Sequence, residues 1–322
     1  MLRQVLVPLI GCAALWWSVA WGEAYPGRPV RLIVPFGAGA PDTVTRVLAR
    51  ELAARLGQPF VVENRAGANG ILGAEAVATA APDGYTLLVT SASFVVNPSM
   101  YRKLPYDVVK DFAPVTQLTA AGGLLLVVNP AVPARSVQEL IALARKPDSR
   151  LAFGSPGIGN TLHLPGELLN ARAGLKLLHI PYKGAGQALT ALLAGDIQLM
   201  FITPALSLPH VRDGTLRALA YTGPLRAPFL PAVPTMVEAG VPGFEVDGGW
   251  HGVFAPAHTP REVIVKLQGE IQQAIASPPV RERLVALGLE PVGSGSAEFR
   301  LFVSAEKQKY AELVGLAGIQ PE

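Results

Sequence analysis

"IVPFGAGAPDTVTRVLAREL", Ile33 to Leu52, is an apolar run that breaks into a small-residue turn and resumes with helical spacing. The run belongs to "VRLIVPF", a strand pattern, and Val44, Val47, Leu48, Leu52 and Leu56 then fall on one helical face before Gly57. Strand, turn and helix start together form an anion site, because first-turn N–H groups lack intrahelical partners and the helix dipole is positive there. Gly37, Ala38, Gly39 and Ala40 allow a ligand to approach the backbone closely. Asp42 replaces the third glycine of a dinucleotide fingerprint, and no Gly-Lys-Ser/Thr follows, so a nucleotide is disfavoured. The plainer alternative is a helix start with Pro41 or Asp42 in its first turn. The Asp42 carboxylate would stabilise that terminus but repel an anion, unless it turns inward as a cap or meets the ligand through water or an ammonium group.

The same unit recurs outward from this point. "FVVEN" follows as a strand, then "GANGILGAEAVATAAPDG" as helix and turn into "YTLLVTSAS". A third unit joins "LLLVVNP", a helix over Val137–Ala144 and "LAFGS"; "LLHIPYKG" leads to a helix ending at Gly195, "IQLMFIT" to a segment ending at Asp213-Gly214, and "LRALAYTG" to a last strand. Such alternation predicts an α/β fold with mostly parallel sheets and ligand loops at the carboxyl ends of strands. The Pro-rich "PLRAPFLPAVPTMVEAGVPGFEV" and the less regular "DFAPVTQLTAAGG" read as exposed crossings between two lobes, which makes the first lobe discontinuous. "TPRE", Thr259 to Glu262, reads as a capping box with Pro260 at the first helical position, and the remainder as helices covering the first lobe.

With 322 residues, 50% hydrophobic and 16% charged, the chain can bury a large core and is expected to form two domains. Its 27 Lys and Arg stand against 24 Asp and Glu with no basic run, which argues against nucleic-acid binding. "MLRQVLVPLIGCAALWWSVAWGEAYPG" has an early Arg, an apolar stretch and small-x-small sites, so residues 1–24 read as a secretory signal peptide rather than a membrane anchor. The single cysteine, Cys12, lies inside it. "LIGC" offers lipid anchoring as the lesser alternative, set back by the apolar sequence that follows Cys12. The mature chain then has no thiol, and a periplasmic protein is expected.

A second loop, "FGSPGIGNTLHL", also sits between a strand and a helix and offers Ser155, Asn160 and Thr161 beside glycine amides. Two such loops on different lobes predict a cleft closing on one small anion, and "TSASFVVN", Thr90 to Asn97, adds a hydroxyl-rich strand end. His163 reads as packed or capping in preference to ligand donor or base, and Pro165 falls unusually far into its helix. Lys183 in "YKG" and Trp250 in "GGWHGVFAP" are cleft candidates whose plainer readings are surface and core. The five scattered histidines make no metal set, and neither a nucleophile elbow nor a zinc-protease motif occurs, so no metal, cofactor or catalysis is expected.

"YPGRPVRLIVPF", "GQPFVVENRAGANGILGAEAVATAAPDGYTLL", "LPYDVVKDFAPV", "HIPYKG", "LRALA" and "VPTMVEAGVPGFEV" resemble the Bug-type substrate-binding proteins of tripartite tricarboxylate transporters over essentially the whole mature chain. The resemblance implies a two-lobed periplasmic binding protein of type II, with a hinge and an interlobe cleft. Lobe 1 would span residues 25–122 and 240–322 and lobe 2 residues 123–239. It implies a small organic carboxylate held by backbone amides, hydroxyls and waters, and delivery to a permease of one large and one small membrane subunit. Carried over by motif, the site is Phe36, Gly37, Ala38, Gly39, Asp42, Thr43, Ser91 and Ala92 on lobe 1, facing Ser155, Gly157, Gly159, Asn160, His163 and Tyr182 on lobe 2. Where the family often carries Asp after "LMF", this chain has Ile202-Thr203, with Thr203 as the neutral substitute. The leading expectation is a monomeric, non-catalytic receptor. A co-receptor docking on a sensor kinase is the alternative, and an extracytoplasmic enzyme the third.

Overall fold

The computed structural model describes residues 25–244, 246–319 and 321. The stretch read as a signal peptide, with Cys12, lies outside the described residues. Two sheets, each with its own apolar core, make two lobes.

Lobe 1 starts with β1 (Val30–Val34), α1 (Ala40–Leu56), β2 (Phe60–Asn64), α2 (Ile71–Ala78), β3 (Thr86–Ser91), α3 (Ser93–Met100) and β4 (Phe112–Ala120). Lobe 2 holds β5 (Leu125–Val128), α4 (Val137–Ala144), β6 (Ala152–Ser155), α5 (Leu164–Ala173), β7 (Leu178–Pro181), α6 (Ala185–Ala194), β8 (Leu199–Ile202), α7 (Pro204–Arg212) and β9 (Arg217–Tyr221). The chain then returns to lobe 1 as β10 (Trp250–Pro256), α8 (Arg261–Ala276), α9 (Pro278–Ala286), β11 (Glu290–Pro291) and α10 (Ser296–Leu316).

Alternation along the strands builds the core of lobe 1. Val30, Leu32 and Val34 face one way, against Val44, Leu48 and Leu52 of α1 and Leu267 and Ile271 of α8. Ile33, Leu88 and Phe254 face the other way, against α2, α3 and Phe299 and Val303 of α10. The helix read from the sequence is α1, and it stops at Gly57, whose φ of 67° is left-handed and whose N–H reaches the Ala53 carbonyl.

The sheets are mixed rather than mostly parallel. Their orders are β11-β4-β10-β3-β1-β2 and β7-β6-β8-β5-β9. The pairs β1–β2, β1–β3, β6–β7 and β6–β8 are parallel, whereas β10 runs antiparallel to β3 and β4, β11 to β4, and β5 to β8 and β9. The cause is the double crossing: β4 leaves lobe 1, and β10 comes back beside it in the opposite sense.

The crossings are also shorter than the sequence suggests. "FAPVTQLTA" is the buried strand β4, and only Ala121–Leu124 leads on into β5. The Pro-rich stretch is no crossing: Ala227, Met236, Val241, Phe244 and Val246 pack into the core of lobe 2. The return falls at Asp247–Gly249, a few residues beyond position 240, where the sequence reading had resumed lobe 1. The two crossings lie side by side, with Ala121 N–H donating to Gly249 O at 2.9 Å and Gly248 N–H to Ala121 O at 2.8 Å.

Two local expectations are corrected. Thr259 caps no helix; its hydroxyl donates to Pro256 O at 2.8 Å, closing a turn, and α8 follows Pro260 without a side-chain cap. Pro165 does not intrude into its helix, because α5 begins at Leu164 and the proline occupies the first turn, where no N–H is needed.

Phe254 is fully buried and its ring meets Phe94, Phe112, Trp250 and Phe299. Phe254→Ala is expected to lower unfolding free energy by about 3–5 kcal/mol, read as a lower midpoint at unchanged slope in a guanidinium titration.

Candidate ligand-binding site

A cavity lies where the strand ends of the two lobes meet. Its walls are Phe36 to Pro41 and Ser91 from lobe 1, Pro156, Asn160 to Leu162, Ala185 and Thr203 from lobe 2, and Gly248 to His251 from the returning crossing. Three helices begin at it: α1 after Gly39, α6 after Gly184 and α7 after Thr203. None of the three N-termini has a side-chain cap. Their first-turn amides and positive dipole ends therefore face this region with few competing acceptors.

The walls carry no Lys, Arg, Asp or Glu. The titratable wall residue is His251, which is buried, lies 2.7 Å from Thr119 Oγ1 through Nδ1, and is pushed down to about 4 by burial. It is neutral at physiological pH. Thr203 Oγ1 is buried without a hydrogen-bond partner, alone among the side-chain polar atoms of the described residues. Thr203 is 7% exposed and stands on the cavity wall. An unmade hydrogen bond at a buried hydroxyl costs about 1–3 kcal/mol, so this oxygen is poised for a partner that enters the cavity.

Of the residues singled out from the sequence, Phe36, Gly37, Ala38, Gly39, Ala40, Pro41, Ser91, Asn160, Thr161 and Thr203 line this cavity, as does Trp250. The others sit behind or beside it. Asp42 is turned away: Oδ1 accepts from Asn64 Nδ2 at 2.9 Å and Oδ2 pairs with Arg46 at 3.0 Å. Asn64 Nδ2 also donates to Phe36 O at 3.0 Å, which ties the glycine turn to β2. Thr43 Oγ1 donates to Gly39 O inside α1, and Ala92 is buried behind Ser91.

On lobe 2, Ser155 Oγ lies 2.7 Å from His179 Nε2 and accepts the Gly157 N–H at 3.2 Å. His163 Nδ1 accepts the Gly159 N–H at 3.2 Å, and its Nε2 lies 3.3 Å from Glu167 Oε1. The rings of His163 and His179 are 4.1 Å apart and both lie against Phe153, so these histidines pack and shape the loop. Burial, with help from His163, pushes His179 down to about 3. Gly159 has a φ of +73°, and a Cβ there would come within 2.6 Å of Met100 Cγ; it serves the contact between lobes. Gly157 and Tyr182 line a neighbouring pocket together with Lys183, whose side chain is exposed.

The sequence reading missed Pro156, Leu162, Ala185, Gly248, Gly249 and His251. The glycine pair before Trp250 was a turn signal, but nothing in it revealed that the second crossing would floor the cavity. Trp250 is both wall and core, 2% exposed, with Nε1 donating to Glu306 Oε2 at 2.9 Å.

A sequence profile described as "Tripartite tricarboxylate transporter family receptor" matches residues 44–319. The chain belongs to this receptor family. The receptor is similar to the periplasmic binding protein BugD, at 35% identity and a TM-score of 0.88, covering 92% of this chain and 100% of that one. It is similar to an adipate-bound protein of R. palustris, at 34% identity and a TM-score of 0.88 with the same coverage. It is also similar to MatC of Rhodopseudomonas palustris with bound malate, at 34% identity and a TM-score of 0.85, covering 90% of this chain and 100% of that one.

Folding holds His179 and His251 neutral well below the ordinary histidine range, whereas the unfolded chain protonates near pH 6.5. Their contribution to stability is complete above that pH and is lost as pH falls toward about 4 and below. The melting temperature of the receptor should therefore begin to fall below about pH 6.5, above the range where carboxylates titrate, and His251→Asn should flatten that first part of the profile.

Proposed function

We propose that this receptor captures a small dicarboxylate in the periplasm, between the glycine turn of α1 and the Asn160 and Thr203 loops of lobe 2, and delivers it to the membrane permease of a tripartite transporter. Residues 1–24 act as the signal peptide that directs export, and the mature receptor works as a monomer without catalysis. Hinge motion about the paired crossings admits the acid, and closure buries it.

The observation that carries this reading is a charge-free cavity ringed by three uncapped helix N-termini, with Thr203 Oγ1 unpaired on its wall. A carboxylate brought into such a place loses its hydration, and only oriented N–H and O–H donors offset that loss when no cation is present. The adipate and malate held by two similar proteins fit the same ligand chemistry. The absence of a wall cation also favours a ligand bound by dipoles over one bound by an ion pair.

A thermal-shift screen of residues 25–322 against malate, adipate, tricarboxylates and acidic amino acids tests this. Ligand at about a hundred times its dissociation constant stabilises by about 2.7 kcal/mol, so one class of dicarboxylate should raise the melting temperature clearly. No shift by any of them would count against the reading. Thr203→Val is expected to leave the ligand-free melting temperature unchanged or higher and to weaken binding of the responding acid by about tenfold, in line with one lost hydrogen bond.

A further inference from the structure

The segment "GANG", Gly67 to Gly70, follows β2 and approaches the cleft from the side of lobe 1. All four residues have positive φ: 148° at Gly67, 46° at Ala68, 48° at Asn69 and 86° at Gly70. Among the described residues, the other non-glycine residue with positive φ is His258. Two adjacent left-handed side-chain-bearing residues are a conformation that persists only where surrounding bonds over-determine it.

At Asn69 those bonds are visible. Its side chain is buried, and both ends of the amide are used: Oδ1 accepts from Asn160 Nδ2 at 3.1 Å, and Nδ2 donates to Asn97 Oδ1 at 2.9 Å. Asn97 Nδ2 donates back to Asn69 O and to Tyr106 OH, each at 3.3 Å. Tyr106 packs on Phe94 and Phe112 in the aromatic core of lobe 1. A buried chain of amides thus runs from that core, through Asn69, across the cleft to Asn160 on lobe 2.

Asn160 lines the ligand cavity. Its Oδ1 accepts the Leu162 N–H at 3.0 Å and one of its two N–H donors goes to Asn69, so the bond from Asn69 fixes how the remaining donor is presented. Further bonds cross the same cleft: Thr161 N–H to Ser93 Oγ at 3.2 Å, Ser93 Oγ with Thr161 Oγ1 at 3.4 Å, Tyr101 OH to Ile158 O at 3.3 Å and Gly186 N–H to Ala38 O at 3.1 Å. Among these, the Asn69–Asn160 pair joins two buried side chains, where a broken bond leaves two polar groups dry.

We infer that Asn69 is a closure latch and a positioning residue for binding: without touching the ligand, it holds lobe 2 closed and orients the Asn160 amide toward the cavity. The Gly-Ala-Asn-Gly backbone twist is what aims the Asn69 amide across the cleft. The latch itself does not require the ligand to be a carboxylate; only the binding arm of its test rests on that reading.

Glycine accepts a φ of 48°, so Asn69→Gly removes the amide and leaves the backbone unstrained. Asn97→Ala withdraws the anchor and leaves Asn69 in place. Small-angle scattering of the ligand-free 25–322 chain should show a larger radius of gyration for both variants than for the wild type, with circular dichroism unchanged. Malate titrated calorimetrically should bind both variants about tenfold more weakly, as expected when the closed state falls to about a tenth of the population. Scattering that superposes on the wild type for both variants overturns the latch, and expansion with unchanged malate affinity overturns the positioning role. If the wild type binds neither malate nor adipate, the dicarboxylate reading fails while the scattering comparison still decides the latch.

Discussion

A cavity between two lobes with no charged side chain on its walls is the constraint on which the site is built. The cavity between the lobes has no Lys or Arg on its walls, and its histidine is kept neutral by burial. For the anion proposed above, attraction must come from peptide dipoles, and dipoles act only at short range from helix ends. The fold meets that demand by starting α1, α6 and α7 at one place from two different sheets. Charged groups near the glycine turn are satisfied elsewhere: Asp42 is spent on Arg46 and Asn64, so its carboxylate does not oppose the field of α1.

The double crossing is the second half of the same design. Because β10 re-enters lobe 1 between β3 and β4, the return segment Asp247–Gly249 runs along the outgoing Ala121–Gly123 and forms part of the cavity floor. α10 grips that segment. Lys309 pairs with Asp247 and with Glu306 Oε1 at 2.6 Å, while Glu306 Oε2 receives the Trp250 indole N–H and Asp247 Oδ1 the Gly249 N–H at 2.8 Å. The helix that covers lobe 1 is therefore bonded to the backbone that joins the lobes, and the crossing and the cavity floor are one structure.

The glycines of the lobe-2 loop have a different purpose from those of α1. Gly159 makes room for Met100 across the cleft, and its N–H is held by His163. Ser155 is held by His179, so the hydroxyl that looks most like a ligand donor in the sequence supports the loop from behind. Its glycines and Ser155 thus serve packing, while Pro156 and Asn160 to Leu162 of the same loop line the cavity.

The sequence by itself determined the units. Periodicity and apolar runs placed α1 and its Gly57 stop, many of the strands, and the strand-turn-helix signature at Gly37–Asp42, because these depend on residues within a turn or two of one another. The small-residue turn Gly37 to Ala40, the hydroxyl-rich strand end at Ser91, and Asn160 with Thr161 were legible one loop at a time, whereas Phe36 and Thr203 were marked only through the resemblance to the receptor family. Only the tertiary structure decided the rest. Whether the sheets are parallel depends on where the chain returns, the place of Gly248 to His251 on the cavity floor depends on a pairing between strands more than a hundred residues apart, and the direction of Asp42 depends on Asn64 of the next strand. The partners of Ser155 and His163 were set in the same way, by packing of β6, α5 and β7 against one another, and distance along the chain carries no record of such contacts.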